Sequence, residues 1–199
     1  MAIGRSGKKM LIICGSPRRG NSEAIAGRLK QIFDKMRVKN EILLLREKKI
    51  QRCNGCVEYC NHNLKCHHKD YMAKIMQKML EAGGYVFVLP NYFAMPPGLF
   101  KDFIDKCSIF YTAQTDLSAK RAAVISVGTD LPYIKGNVHN VAKNFCETLK
   151  IKVVATGAFV SRSELEGNYN DIFENKLNPG IEKDLEKIAN KLCDSLKRH

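Results

Sequence analysis

From Lys8 onward, short apolar runs alternate with stretches in which apolar residues return every three or four positions. The runs at 10–14, 41–46, 84–89, 122–127 and 151–159 have the length and continuity of buried strands. The intervening stretches read as amphipathic helices. The first carries Ile25, Leu29, Ile32, Phe33 and Met36 on one face, with Asn21 or Ser22 as its cap. The second carries Met72, Ile75, Met76 and Met79. The third starts at Pro97 and buries Leu99, Phe100, Phe103, Ile104 and Cys107. The fourth carries Val138, Val141, Ala142, Phe145 and Leu149, and the last Ile181, Leu185, Ile188, Leu192 and Leu196.

Five apolar strands alternating with five such helices predict an α/β fold: three layers, with a doubly wound parallel five-stranded sheet covered on both faces. Residues 1–7 read as a flexible arm and residues 8–199 as one domain, interrupted by a cysteine-rich loop at about 49–69. In such sheets ligands bind beyond the carboxyl ends of the strands, where strand order reverses. The loops after strands one, three and four are therefore where chemistry is expected.

Composition narrows the setting. With 45% hydrophobic and 27% charged residues the chain is globular, and disorder of the whole is excluded. Its longest apolar runs, at 10–14 and 85–90, fall far short of the ~20 residues that span a bilayer. The first of them is also too short for a secretory leader. A cytoplasmic location with no membrane partner is the expectation, and disulfide frameworks are rare there. The net charge of +13 is uneven: residues 1–80 hold 18 basic and 6 acidic side chains, the remainder 15 and 14. That excess implies either a solvated lysine-rich surface or an anionic partner.

The loop after the first strand reads Gly15-Ser16-Pro17-Arg18-Arg19-Gly20-Asn21-Ser22. Gly15 and Gly20 allow close backbone approach. Ser16, Asn21 and Ser22 offer hydrogen bonds, and a helix N-terminus adds amides and a positive dipole end. Arg18 and Arg19 add full charge, Arg18 with a bidentate fork. Together they form a phosphate cradle, although both the P-loop and the dinucleotide fingerprint are missing. The bland alternative is an ordinary strand-to-helix turn. After the third strand, Pro90, Asn91, Tyr92 and Phe93 offer flat rings and a rigid backbone. After the fourth, Gly128 and Thr129 permit another close approach. Tyr92 and Phe93 also admit a plain packing role.

These segments, with Lys101-x-Phe103-Ile104-Asp105-Lys106, resemble the flavodoxin-like NADPH-dependent FMN reductases, and within them the iron–sulfur flavoproteins. The resemblance covers roughly residues 8–159. It implies a flavodoxin-like sheet and noncovalent FMN. By position, Ser16, Arg18, Gly20, Asn21 and Ser22 would hold the FMN phosphate. Pro90, Asn91, Tyr92 and Phe93 would line the isoalloxazine, with Tyr92 beside the reacting ring. Gly128 and Thr129 would close its other edge. The family often has Ser where this chain has Leu89, and Arg where it has Lys106.

Cys53, Cys56, Cys60 and Cys66 are spaced C-x2-C-x3-C-x5-C. Four thiolates this close select an Fe–S cluster or zinc. The family resemblance points to a 4Fe–4S cluster, although its motif usually has two residues, not three, between the second and third cysteines. Zinc with His62, His67 or His68 as a substitute ligand is the rival, and four free thiols the third alternative. Cys14, Cys107, Cys146 and Cys193 fall on core faces and read as small hydrophobes. The function expected is an FMN-dependent oxidoreductase. It would pass electrons between NAD(P)H or a small redox protein and an acceptor, as a homodimer or homotetramer. A pure electron carrier is the second reading. A basic zinc-knuckle nucleic-acid binder is the third, and it lacks any arginine and aromatic RNA motif.

Overall fold

Met10–Cys14 (β1) is a run of five apolar residues, and all five are buried. Such a strand needs cover on both faces and both edges, and the fold provides it. β2 (Asn40–Leu44) and β3 (Gly84–Pro90) flank β1, followed by β4 (Arg121–Gly128) and β5 (Lys152–Val160). The strand order is β2-β1-β3-β4-β5, and every pairing is parallel. This is the flavodoxin-like order, with the reversal between β1 and β3. The computed structural model describes residues 9–197, so the arm expected at 1–7 lies outside the described residues.

Period-two alternation along the strands feeds two separate cores. Leu11, Ile13, Tyr85, Phe87, Leu89 and Val124 point to one face. There they meet α3 (Met72–Glu81), α4 (Gly98–Lys106) and α5 (Ser108–Thr112), together with the π turn Val141–Glu147 that continues α6 (Leu131–Asn140). Phe87, Phe100, Phe103 and Phe145 form a ring cluster there, with centroids 5.1–6.5 Å apart. Met10, Ile12, Cys14, Val86, Val88 and Ile125 point to the other face, under α1 (Asn21–Lys35) and α7 (Ile181–Lys197).

Element boundaries depart from the sequence pattern in identifiable ways. β2 ends at Leu44, because Leu45–Glu47 turns as a 3-10 helix that buries Leu45 and carries Arg46 to Glu23 at 2.9 Å. The expected loop at 49–69 contains a short helix, α2 (Val57–Asn63). β5 carries one extra residue at Val154, where its register against β4 slips. The predicted cap is also corrected. Gly20 is the N-cap of α1, while Asn21 and Ser22 lie inside the helix with buried side chains.

Cys14, Cys107, Cys146 and Cys193 are buried as expected. Burial pushes the Cys14 thiol up to about 11 and the Cys146 thiol up to about 12, so neither is a ready nucleophile. Some of the basic side chains are paired with acidic residues. Arg28 meets Glu182 of α7 at 3.2 Å, Lys30 meets Asp34 at 2.6 Å, and Lys78 meets Glu41 at 2.7 Å. Among the described residues no helix is long and apolar enough to cross a membrane.

Candidate functional site

The carboxyl ends of β1, β3 and β4 deliver the three predicted loops to one edge of the sheet. After β1 the chain must leave between Leu89 and Phe100. A Cβ on Gly15 would lie 2.7 Å from Leu89 Cδ2 and 2.8 Å from Phe100 Cδ2, so only glycine passes there. Ser16 is buried; its Oγ donates to the Arg18 carbonyl at 2.7 Å and accepts from the Arg18 amide at 3.3 Å. That turn presents the Arg18 side chain half-exposed at the loop's outer edge. Gly20, the N-cap of α1, has no side chain to cap it, and the positive end of the helix faces this loop.

Asn21 does something the sequence did not disclose. Its Nδ2 donates to Ser161 Oγ at 2.8 Å and to Asp171 Oδ1 at 3.0 Å, and its Oδ1 accepts from the Ile172 amide at 3.0 Å. Ser161 also donates to Asp171 at 2.9 Å, as do Ser163 and, at 3.2 Å, Asn175. Burial alone would push the Asp171 carboxyl up. The hydrogen bonds from Ser163, Asn21, Ser161 and Asn175 outweigh it and hold the group down at about 2. A second contact between the same segments is Tyr169, whose ring lies 3.9 Å from Arg18 Cζ. Ser161, Ser163, Tyr169 and Asp171 were missed from sequence. Their one signal is a connection of about twenty residues without apolar periodicity between β5 and α7.

After β3 the chain makes a tight hairpin. The Tyr92 amide donates to the Met95 carbonyl at 3.0 Å and the Met95 amide returns to the Tyr92 carbonyl at 2.9 Å. The two residues between them, Phe93 and Ala94, have φ of 52° and 59°. Both values are left-handed, where non-glycine residues are held at some cost. Asn140 steadies the turn by donating to the Ala94 carbonyl at 2.9 Å. Tyr92 is half-exposed, and Phe93 is 93% exposed at the tip. The Asn91 backbone amide donates to the Val127 carbonyl at 2.7 Å, and its buried Oδ1 lacks a partner among the described residues.

Gly128 ends β4 against this loop. A Cβ there would stand 2.9 Å from Asn91 Cβ. Thr129 follows, half-buried, before Asp130 caps α6 through a long 3.4 Å bond from the Tyr133 amide. Asn137, fully buried on α6, ties β3 to β4 by donating to the Pro90 carbonyl at 3.1 Å and to Ser126 Oγ at 3.0 Å. Its place on the Ile134–Val138 face was the available signal.

Cys53, Cys56, Cys60 and Cys66 are all half-buried in the loop around α2. Cys56 and Cys60 lie 3.7 Å apart between sulfurs, and His67 Nδ1 sits 3.1 Å from Cys56 Sγ. The Cys60 thiol is pushed up to about 11, first by burial and then by its hydrogen-bonded neighbour Cys56. Among the described residues no three His, Cys, Asp or Glu side chains converge as ion ligands. The donor set itself is soft and sulfur-rich, which suits iron–sulfur or zinc chemistry.

Comparison with known proteins gives the family and the fold. Residues 8–166 match the NADPH-dependent FMN reductase family. An iron–sulfur flavoprotein of Archaeoglobus fulgidus is 29% identical over 119 residues, 59% of this chain and 60% of its own length. A second from the same organism is 33% identical over 98 residues, 49% of this chain and 48% of its own. The matched part therefore spans about half the length of these relatives. The solved NAD(P)H:quinone oxidoreductase from Methanothermobacter marburgensis superposes over 98% of both chains with a TM-score of 0.68 and 12% identity, a likeness of fold. With its 2-1-3-4-5 sheet and a family match over most of its length, the chain belongs to the NADPH-dependent FMN reductase family.

Proposed function

We propose that the protein is an FMN-dependent oxidoreductase that passes electrons between NAD(P)H, or a small redox protein, and an acceptor. The observation that carries the reading is the convergence of the 15–22 loop, the 90–93 hairpin and Gly128 at the strand-order reversal. The residues fit the group. Ser16, Arg18, Gly20, Asn21 and Ser22 frame an uncapped helix end suited to a phosphate. The buried Asn91 Oδ1, without a partner among the described residues, suits a donor on a polar heterocycle, beside Pro90, Tyr92 and Phe93. Gly128 and Thr129 bound the other side. FMN, when bound, supplies both one- and two-electron chemistry. The chain's own part is to hold and orient: Arg18 meets anionic charge, Tyr92 and Phe93 screen the ring, and no side chain is required as acid or base.

The cysteine loop is read as the seat of a 4Fe–4S cluster held by Cys53, Cys56, Cys60 and Cys66. The close approach of Cys56 and Cys60 supports it, as do the iron–sulfur flavoproteins among the relatives. A homodimer or homotetramer in the cytoplasm completes the reading. The decisive experiment is FMN titration of wild type and the Ser16→Ala/Arg18→Ala double variant. A loss of tenfold or more in affinity is expected. Unchanged affinity removes the cradle.

A further inference from the structure

The stretch between β5 and α7 lies on the proposed phosphate cradle at three closely spaced positions. The Tyr169 ring lies against Arg18, with its centroid 3.9 Å from Cζ. The Tyr169 carbonyl oxygen would stand 2.9 Å from a Cβ on Gly20. Asn21 exchanges hydrogen bonds with Asp171 and with the Ile172 amide. Asp171 in turn is fixed by Ser161, Ser163 and Asn175. The strap is thus tied down beside Tyr169 by a buried network, and Tyr169 is set in place rather than loosely laid on the surface.

We propose that Tyr169 is a positioning residue that orients the Arg18 guanidinium for a flavin phosphate and so sets a preference for phosphorylated over unphosphorylated flavin. The inference rests on the cradle reading above. A guanidinium carries its N–H donors in its plane and attracts an aromatic ring on its face. A ring on the face restricts the long side chain without consuming the in-plane donors. The rotamer entropy that Arg18 would otherwise lose on meeting phosphate is then lost during folding, which raises affinity for the phosphate alone. Riboflavin, which has no phosphate, gains nothing from it.

The test measures affinities for FMN and for riboflavin by quenching of flavin fluorescence in wild type and in Tyr169→Phe, Tyr169→Leu, Arg18→Ala and Arg18→Ala/Tyr169→Leu. Tyr169→Phe keeps the ring face and is expected to keep the wild-type ratio of affinities. Tyr169→Leu keeps bulk but loses the face, and is expected to weaken FMN about tenfold, leaving riboflavin within about twofold. In the Arg18→Ala background the Tyr169→Leu change is expected to add nothing. Equal weakening of both flavins by Tyr169→Leu, or no change in either, overturns the positioning role. So does an undiminished Tyr169→Leu effect without Arg18. An Arg18→Ala variant that keeps the wild-type ratio overturns the cradle itself, a distinguishable result.

Discussion

Asp70 and Lys106 form an ion pair in which both side chains are only 1% exposed. Asp70 is otherwise satisfied by two backbone amides, those of Gln51 at 2.8 Å and Met72 at 2.9 Å. Burial would push its carboxyl up, but Lys106 and these amides bring it below its ordinary value. The pair joins the last residue of α4 to the entrance of α3. With the Tyr71 amide bonded to the Lys49 carbonyl at 3.0 Å, it closes the base of the cysteine loop. A buried pair is costly to break from one side, because the surviving charge is left unpaired. Lys106→Met is therefore expected to cost about 3–5 kcal/mol in urea denaturation. The Asp70→Asn/Lys106→Met double variant should recover much of that. A double variant as unstable as the sum of the singles would mean the two groups act independently.

Asp171 gives the fold a specific acid sensitivity. Its carboxyl sits at about 2, below the ordinary carboxylate value, so the ionised form is favoured in the folded chain. The stabilisation it provides is complete above about pH 4 and is lost as pH falls from about 4 to about 2. Asp171→Asn removes it, at a cost of about 2 kcal/mol at neutral pH. The stability gap between wild type and variant should close between about pH 4 and pH 2. A gap that stays constant over that range would show that the carboxylate's charge contributes nothing.

Much of this architecture was legible in the sequence, because strand and helix periods are local signals. The cores of β1, β3 and α7 follow directly from Met10–Cys14, 84–89 and the Ile181-Leu185-Ile188-Leu192 spacing. Asn21 shows where locality fails. An Asn at a helix start reads as a cap, yet its amide is engaged by Ser161 and Asp171, about 140–150 residues away. Tyr169 and Lys106 were hidden for the same reason: an aromatic in an aperiodic loop and a lysine in an amphipathic helix acquire meaning only through partners brought by the fold. The cysteine spacing disclosed the soft donor set, while the 3.1 Å approach of His67 to Cys56 is set by the fold of the loop after α2.

Two glycines separate conformational need from steric need. Gly27 lies within α1 with open space where a Cβ would go. Gly27→Ala should stabilise the fold by about 0.5–1 kcal/mol, by the lower entropy of the unfolded chain. At Gly128 an added Cβ would meet Asn91 Cβ at 2.9 Å. Gly128→Ala should force the 90–95 loop outward, cost about 1–3 kcal/mol and weaken FMN binding. Thermal denaturation and FMN titration of both variants check this. A Gly128→Ala protein with wild-type FMN affinity would remove the hairpin's position from the proposed binding geometry.

The cysteine loop can be assigned by what it holds when purified without oxygen. Its sulfurs are half-buried, with Cys56 and Cys60 3.7 Å apart, and the Asp70–Lys106 pair anchors the loop independently of them. The ligands and the fold are therefore separable. Anaerobically purified protein should carry about four irons per chain with a cluster absorption band. Replacing Cys53, Cys56, Cys60 and Cys66 together by Ser should abolish the iron and leave FMN affinity within about twofold, because the 15–22 and 90–93 segments lie outside the loop. Zinc in place of iron would assign a structural site, with His67 beside Cys56 as a candidate ligand. Loss of FMN together with iron would instead mean that the loop supports the flavin site, against the separation argued from its anchors.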